Sequence, residues 1–488
     1  MAKFLVILFF ILHSLPICLA EESSSRTAVE RLIYQFDSTP TRIIRALASP
    51  DNGRIAFVVQ SETDMHVVED GLEGNHYDYI FADSLIISPD SRHFAYMAFE
   101  EGKTFAVLDG VVQATFEGLG EKSLVFSPDS RRLAYVAQKA DKWMVVENEK
   151  EGELFDSIVS FSLVFSPDSM HLAYVAREGS RQFIVIDGAA RTDYGGVLPG
   201  SIVFSVDGRR IGHVAQMADG KLAVVANGVV GMRHDGIGAH SVMFSPDGRH
   251  IAYIAQVGGK MMVVVDGISG KLYDSIGASS LSFSPRGGRV GFIARSGDGS
   301  FAVVDDKEEK HYAAIVTNSL LFSPDGRRVA YVAQDDAGMQ TVVLDGVEGK
   351  LYEGIGAGSV TFSPDSRRLA YVARIGEDAV AVVDREELSR HNGILDGSLK
   401  FSPDSKIFLY VSLIYSAPNE RKWCIVTGEE KGTLYDVIVK PPIFTGPNRF
   451  QFLAMRENSI YLIKENMGDP EHGQGTVIAL PGRIWPQS

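Results

Sequence analysis

The chain has 488 residues, of which 48 are glycine, 19 are proline and 22% are charged. This composition excludes collagen-like and disordered chains, and the apolar fraction of 45% is enough for a large core. Lys and Arg number 47 against 62 Asp and Glu, so the formal charge of -15 argues against a nucleic-acid partner, whose phosphates an acidic surface repels.

The first predicted element is an apolar N-terminal segment. Residues 1–20 carry one positive charge at Lys3, an apolar run from Phe4 to Leu12 and a small residue, Ala20. This pattern predicts a secretory signal peptide cleaved after Ala20, with an uncleaved membrane anchor as the alternative. Cleavage removes Cys18 and leaves Cys424 without an intrachain partner, so the exported chain has to be stable without a disulfide. We expect no membrane span after cleavage.

From about residue 40 the chain repeats one unit of 39 or 40 residues about ten times. Clear copies are SLVFSPDSRRLAYVAQ at 123–138 and SVTFSPDSRRLAYVAR at 359–374, and an eroded copy, IFTGPNRFQFLAMREN, lies at 443–458. The residue before each S-P-D motif marks the period. The markers are Ala48, Ile87, Phe126, Phe165, Phe204, Phe244, Phe283, Phe322, Phe362 and Phe401, with Phe444 in the eroded copy.

Each repeat contains four predicted strands. S-L-V-F-S is the first strand, Pro-Asp makes a turn, and R-R-L-A-Y-V-A-Q is the second strand. A third strand ends in a hairpin turn, a fourth strand such as LYDSI follows, and a link of small residues returns to the next copy. The hairpin turns include Asp109-Gly110, Asp187-Gly188, Asn227-Gly228, Asp266-Gly267 and Asp345-Gly346.

Four antiparallel strands in every 39 residues predict an all-β fold, a β-propeller of about 10–11 four-stranded blades. An aromatic ring nine residues after each marker, beside a small residue, supports face-to-face packing of the blades. The column consists of Phe57, Tyr96, Tyr135, Tyr174, Tyr253, Phe292, Tyr331, Tyr371 and Tyr410, with His213 as the exception. We interpret His213 as a core histidine with satisfied nitrogens rather than a ligand.

The repeats favour a single ring of blades over two smaller rings. Their spacing is unbroken, and LIYQFDS at 32–38 resembles a lone fourth strand that could complete the three strands of the eroded copy. The predicted organisation is a signal peptide at 1–20, a short segment at 21–30, a propeller at 31–480 and a tail at 481–488.

The S-P-D-(G/S)-(R/K) repeats resemble the WD-repeat-like propeller repeats of the TolB type. The resemblance covers residues 40 to about 415, with Val206 in place of the proline and Arg286 in place of the aspartate in two copies. It implies a propeller in an exported bacterial protein, periplasmic or secreted. Only residues 21–40 precede the first copy, so the resemblance does not extend to the N-terminal domain of TolB or to its role.

Two repeated charge patterns are candidates for a binding surface. The S-P-D turns alternate aspartates such as Asp129 with arginine pairs such as Arg131 and Arg132, which could form a docking rim. We favour turn caps and surface ion pairs, each of which contributes little alone. The outer strands repeat an aromatic–acid pair, such as Tyr273-Asp274, which we interpret as an inward aromatic and a solvated carboxylate rather than a cation-binding belt.

No catalytic, cofactor-binding or metal-binding motif is found, so we expect neither enzyme activity nor a cofactor. The small-residue links should lie near the mouth of the central channel. Their notable polar groups, which are candidates for partner binding, are Glu121, Lys122, His240, Asn318 and Asp396.

The leading hypothesis is an exported, non-enzymatic scaffold that binds a protein or peptide and no nucleic acid. One alternative is an enzyme or small-ligand binder with its site at the channel mouth. The other is a purely structural or self-associating repeat protein.

Overall fold

In a computed structural model of the chain, the described residues are 26–36, 42–238, 240–297, 299–356, 358–417 and 420–468. The predicted signal peptide at 1–20 and the tail at 481–488 lie outside them. Within these ranges, eleven antiparallel sheets form the blades of a single-ring β-propeller. The all-β prediction and the preference for one ring over two are therefore confirmed.

Three blades have a continuous first strand. Blade 1 consists of Arg42–Ala48, Ile55–Gln60, Met65–Glu69 and Leu72–Tyr77. Blade 2 consists of Tyr79–Ile87, Phe94–Glu100, Lys103–Leu108 and Val111–Phe116. Blade 11 consists of Val437–Gly446, Arg449–Arg456, Ser459–Asn466 and, from the other end of the chain, Thr27–Gln35.

In blades 3 to 10 the first strand is split into two short pieces that pair with the same second strand. The pieces are Gly118–Leu119 with Val125–Phe126, Ser157–Ile158 with Val164–Phe165, Gly196–Val197 with Val203–Phe204, Gly236–Ile237 with Met243–Phe244, Ser275–Ile276 with Ser282–Phe283, Ala314–Ile315 with Leu321–Phe322, Gly354–Ile355 with Thr361–Phe362, and Gly393–Ile394 with Lys400–Phe401.

The other strands of these eight blades follow in simple succession. The second strands are Leu133–Lys139, Leu172–Glu178, Ile211–Gln216, Ile251–Val257, Val290–Ser296, Val329–Gln334, Leu369–Ile375 and Phe408–Ala417. The third strands are Lys142–Glu147, Arg181–Ile186, Leu222–Ala226, Lys260–Val265, Gly299–Val304, Gln340–Leu344, Asp378–Val383 and Glu420–Thr427. The fourth strands are Lys150–Glu151, Ala189–Tyr194, Val229–His234, Ile268–Ser269, Lys307–Glu308, Val347–Glu348, Glu386–His391 and Glu430–Lys431.

The split of the first strand corrects the predicted boundary between blades. The segments predicted as links, such as 118–123, lie inside the first strand, and residues 275–276 of the predicted fourth strand LYDSI begin the next blade. In blade 3, the Ser123 hydroxyl donates a hydrogen bond to the Gly120 carbonyl (2.7 Å) and accepts the Val136 N–H (3.0 Å). The hydroxyl thus replaces a missing backbone partner, which a hydrophobic pattern does not reveal.

A serine at the same position of the repeat replaces a backbone hydrogen-bond partner in nine blades. Each of these hydroxyls accepts a backbone N–H from the second strand. The serines are Ser84, Ser123, Ser162, Ser201, Ser241, Ser280, Ser319, Ser359 and Ser398.

The aromatic column is buried and packs against the aromatic residue at the end of the preceding blade. Tyr135, with 2% of its surface exposed, meets the ring of Phe116 edge-on at 6.2 Å. Such T-shaped pairs add to the apolar burial between blades. The pairs are Tyr77–Tyr96, Phe116–Tyr135, Phe155–Tyr174, Tyr194–His213, His234–Tyr253, Tyr273–Phe292, Tyr312–Tyr331, Tyr352–Tyr371, His391–Tyr410 and Tyr435–Phe452.

His213 occupies the aromatic position of this column in blade 5, but its ring nitrogens lack hydrogen bonds within the part of the chain that the structure describes. It is buried, and neither ring nitrogen has a hydrogen-bond partner among the described residues. Burial lowers its pKa to about 4. The core placement is as predicted, whereas the predicted hydrogen-bonding partners are missing among the described residues.

Blade 11 closes the ring with strands from both ends of the chain. Thr27–Gln35 pairs along its length with Ser459–Asn466, so a fourth strand from the start of the chain closes the ring as predicted. The strand begins at Thr27 rather than at residue 32, and residues 37–38 of the predicted strand lie outside the described ranges. Glu30 accepts hydrogen bonds from the Tyr435 hydroxyl (2.9 Å) and from both terminal nitrogens of Arg456 (2.9 and 3.1 Å). The closing strand is therefore held by its ladder and by charged side chains.

The buried histidine predicts a pH-dependent weakness. Because His213 is neutral when folded down to about pH 4 but takes up a proton near pH 6.5 when unfolded, stability should fall as the pH drops from about 6.5 to 4. The His213→Phe variant should be more stable, by roughly 2 kcal/mol more at pH 5 than at pH 7.5. Denaturant unfolding at the two pH values measures this difference. The exposed-site variant His240→Phe is the control, and an equal gain at both pH values would contradict the prediction.

The closing strand offers a matched pair of substitutions. Ile33 is 8% exposed and packs with Phe57 and Leu453, whereas Val29 on the same strand is 69% exposed. The Ile33→Asp variant should lose about 3 kcal/mol or more, because a carboxylate is placed in an apolar interface, and Val29→Asp should lose little. Thermal unfolding followed by circular dichroism checks both variants, and similar melting temperatures would refute this role of the closing strand.

Candidate functional site

The S-P-D turns connect the first and second strands on one face of the ring. In blade 3, the Ser127 hydroxyl donates to Asp129 Oδ1 (2.6 Å), which also accepts the Arg131 N–H (3.2 Å). These bonds, the serine's first, hold the pKa of Asp129 below its usual value. The carboxylate is thus occupied within its own turn.

Among the described residues, five pairs of neighbouring turns are hydrogen-bonded to each other. The Asp129 N–H donates to the hydroxyl of Ser169, which belongs to the turn of the next blade (2.9 Å). Such a hydroxyl thus joins the turns of neighbouring blades in blades 1 to 4 and 8 to 10. The corresponding pairs are Asp51–Ser91, Asp90–Ser130, Asp129–Ser169, Asp325–Ser366 and Asp365–Ser405.

The arginine five residues after the turn serine, which is the second of each arginine pair, joins adjacent blades. Arg132 forms an ion pair with Glu147, donates to the Ser169 carbonyl (2.8 Å) and lies 4.8 Å above the ring of Phe165, the marker of the next blade. The predicted ion pairs are thus present at these residues. The stacked pairs are Arg54–Phe94, Arg132–Phe165, Arg210–Phe244, Arg289–Phe322, Arg328–Phe362 and Arg368–Phe401.

The basic residue four positions after the turn serine, which is the first of each arginine pair, is exposed to solvent instead. Arg92 and Arg249 each have 81% of the side chain exposed, and each lies within 4.0 Å of its own turn aspartate, Asp90 or Asp247. We call these side chains the cationic circle. Among the described residues it consists of Arg92, Arg131, Arg209, Arg249, Arg327, Arg367 and Lys406.

The aromatic–acid pairs behave as predicted, with one addition. The aromatic residues, such as Phe155 and Tyr273, are buried in the blade interfaces. The carboxylates are partly exposed, and they also accept backbone N–H groups from the turn between the second and third strands of the next blade. Asp156 accepts from Gly179 (2.7 Å) and Asp274 from Gly297 (2.8 Å), so these carboxylates have a structural role rather than forming a free acidic belt.

The five predicted binding residues lie at the tips of the turns that split the first strands. The first strands line the channel of a propeller, so these tips face the axis or its mouth. Lys122, His240 and Asn318 have φ angles of 54°, 58° and 60°, and Glu121 and Asp396 each precede the left-handed residue of the turn. The left-handed conformation is one reason for asparagine at such a position.

The structure does not gather these residues into one site. Glu121 and Lys122 belong to blade 3, and His240, Asn318 and Asp396 to blades 6, 8 and 10.

Their contacts are with neighbouring tips. Lys122 Nζ lies 3.4 Å from Asp83, which also binds Arg45 (2.8 Å), and His240 Nδ1 lies 3.2 Å from the Gly200 carbonyl. Arg45 and Asp83 were missed from the sequence because their copies of the repeat are less regular.

A cavity beside Asn318 is small. It measures about 120 Å³ and lies between blades 8 and 9, lined by Val316, Gly356 and Val360. Pockets for drug-sized ligands are about 300 Å³ or more, so this cavity does not support a small-ligand site there.

No protein-family model and no curated protein sequence matches the chain. The chain is similar in structure to a eukaryotic initiation factor, with 12% identity, coverage of 66% of this chain and 90% of the other, and a TM-score of 0.38. It is also similar to TolB from Acinetobacter baumannii, with 14% identity, coverage of 60% and 73%, and a TM-score of 0.24. It is similar as well to the β-propeller domain of Cps50 (Swd1) from Myceliophteria thermophila, with 11% identity, coverage of 55% of this chain and 98% of the other, and a TM-score of 0.27. The propeller assignment rests on the eleven blades themselves.

Two glycines in equivalent S-P-D and S-V-D turns provide a test of the contacts between the turns of neighbouring blades. Both have a φ of 71°, but a Cβ at Gly208 would lie 2.2 Å from the Asp168 carboxyl carbon, whereas at Gly248 the nearest atoms are 3.6 Å away. Because Ser166 and the Met170 N–H hold Asp168 in place, Gly208→Ser should be about 1–3 kcal/mol more destabilising than Gly248→Ser. Denaturant unfolding compares them, and equal losses would show that the turns are not in fixed contact.

Proposed function

We propose that this protein is an exported, non-enzymatic propeller of the TolB-like repeat type that binds an acidic segment of a protein or peptide through the cationic circle. The observation that carries the proposal is that the two arginines of each arginine pair differ in their contacts. In four turns one arginine contacts the next blade and the other, Arg131, Arg209, Arg327 or Arg367, is exposed on the same face of the ring.

The charges of the S-P-D face favour a partner with carboxylates. The turn aspartates, such as Asp129 and Asp247, accept hydrogen bonds from their own turns and are directed back toward the backbone. The guanidinium groups of Arg131, Arg209 and Arg327 extend outward. Arginine binds carboxylates through two parallel hydrogen bonds, which supports recognition of Asp and Glu side chains.

The net charge of the chain favours a short acidic segment over a long polyanion. The formal charge is -15, so a nucleic acid that extends beyond the circle would meet an acidic surface. A short peptide that covers only the S-P-D turns would contact mainly the side chains of the cationic circle. The attraction should weaken with salt, because exposed charges are screened within about 8–10 Å at ordinary ionic strength.

The compartment proposed is the cell envelope or the exterior. Residues 1–20 have the pattern of a signal peptide, and the S-P-D repeats resemble those of exported TolB-type propellers. In the part of the chain that the structure describes, no helix could span a membrane.

Charge removal on this face tests the proposal. The variant with Arg131, Arg209, Arg327 and Arg367 replaced by serine should bind a fluorescein-labelled oligoglutamate peptide at least about tenfold more weakly than the wild-type protein. Fluorescence anisotropy at low and high salt measures the affinity. A tenfold change in affinity corresponds to about 1.4 kcal/mol of binding free energy. This is a modest contribution for four arginines together.

The control replaces four exposed lysines near the turns between the second and third strands, Lys103, Lys139, Lys221 and Lys260, with serine. It removes the same charge from the other face and should leave peptide binding nearly unchanged. Failure of the wild-type protein to bind, equal losses in both variants, or equally tight binding of an oligonucleotide of the same charge would each overturn the proposal.

A further inference from the structure

Blade 1 departs from the repeat at a buried position of its third strand. In the register of the sheets, His66 pairs with Val59 just as Phe105 pairs with Ala98 in the next blade. The residues at this position in blades 2 to 10 are uncharged, and only blade 1 of these ten has a histidine. They are Phe105, Met144, Phe183, Ala223, Met262, Phe301, Thr341, Val380 and Cys424.

The buried His66 ring carries a nitrogen without a partner. Only 6% of the side chain is exposed, and Nδ1 has no hydrogen-bond partner among the described residues. A buried polar atom without a partner costs about 1–3 kcal/mol, so such atoms are rare unless something else occupies them. The side chains around Nδ1 therefore indicate what could bind to it.

Three polar side chains surround this ring. His76 lies directly opposite His66 on the fourth strand, with the ring centroids 4.5 Å apart. Asp64 Oδ1 lies 2.9 Å from His76 Nδ1 and 4.0 Å from His66 Nδ1. At the opposite edges of the rings, Glu73 Oε1 lies 3.2 Å from Nε2 of both histidines.

We infer that Asp64, His66 and His76 form a binding site for a divalent transition-metal ion, with Zn²⁺ as the best match. One ligand atom from each residue lies within 4.8 Å of the others. Bonds of 2.0–2.1 Å in a tetrahedral Zn²⁺ site put the ligand atoms roughly 3.3 Å apart. Small rotations of the two more exposed side chains, Asp64 and His76, would bring the three donors to that spacing.

Glu73 gives the site its orientation. If both Nε2 atoms carry their protons and donate them to Glu73, both Nδ1 atoms have lone pairs that point to Asp64. A carboxylate that fixes the tautomer of a metal-binding histidine in this way is a frequent feature of zinc sites. The unpartnered Nδ1 of His66 is then the atom that the ion would occupy.

The donor set also defines the class of ion and the access to it. Imidazoles suit Zn²⁺, Cu²⁺ and Ni²⁺, whereas Mg²⁺ and Ca²⁺ require oxygen ligands. The side chains of His76 and Asp64 are 47% and 30% exposed, so an ion can enter from solvent. Three protein ligands leave a fourth position for water.

Equilibrium dialysis of the purified, chelator-treated protein tests the site. The wild-type protein should bind one Zn²⁺ per chain, should not bind Mg²⁺ there, and should unfold at a higher temperature with Zn²⁺. The visible spectrum with Co²⁺ in place of Zn²⁺ should have the intense bands of tetrahedral coordination.

Two variants remove ligands while keeping residues that the repeat already uses. His66→Phe installs the residue of blades 2, 4 and 7, and His76→Thr installs Thr115 of blade 2. Each should lower the Zn²⁺ affinity at least about tenfold and remove the Co²⁺ bands. His76→Thr, at a more exposed position, serves if His66→Phe does not fold.

His311→Ala is the matched control, because His311 precedes Tyr312 in blade 7 as His76 precedes Tyr77 but stacks on Phe301. It should bind Zn²⁺ like the wild-type protein. The inference is overturned if the wild-type protein binds no Zn²⁺, if His76→Thr binds it as tightly as the wild-type protein, or if His311→Ala loses it equally. None of these results depends on peptide binding.

Discussion

The structure depends on the pairing of Thr27–Gln35 with Ser459–Asn466. Each blade buries its apolar faces only against its two neighbours, so an open ring would expose one face of blade 1 and one of blade 11. Ile33 on the closing strand packs against residues of both blades. With Cys424 as the free, buried cysteine among the described residues, this closure is made by a β-ladder, apolar burial and ion pairs.

The interfaces between blades use the same few contacts again and again. An edge-to-face aromatic pair lies in the interior, as with Phe116 and Tyr135, and an arginine stacks on the next marker ring near the S-P-D face, as with Arg132 and Phe165. A carboxylate such as Asp156 binds the next blade on the other face. Each contact is modest, but its repetition from blade to blade makes the ring one connected unit.

Much of this architecture could be predicted from the sequence, because the relevant information is local. The period, the turn residues and the aromatic column all lie within one repeat, and the resemblance of residues 32–38 to a fourth strand predicted the ring closure. The split first strands could not be predicted, since a serine such as Ser123 replaces a backbone partner only in three dimensions. The boundary between blades was misplaced for the same reason.

The candidate sites were harder to predict, because they depend on contacts between strands or blades. Arg131 and Arg132 are adjacent and chemically identical, yet only the contacts of Arg132 with Glu147 and Phe165 separate the structural arginine from the exposed one. His66 and His76 lie ten residues apart, a spacing that matches no metal-binding motif, and their pairing becomes visible only in the register of the sheet.

The repeat itself provides the reference for judging function. A residue that follows the pattern in most blades, such as the turn aspartate, is explained by the fold, whereas a departure needs its own explanation. His213 and His66 are both buried histidines at positions where other blades have an aromatic, apolar or small residue. Among the described residues, His213 has an aromatic neighbour in Tyr194 and no acidic side chain paired with it, so it is a weak point of the core. His66 faces Asp64, Glu73 and His76, and this difference in surroundings makes it a ligand candidate while His213 is not.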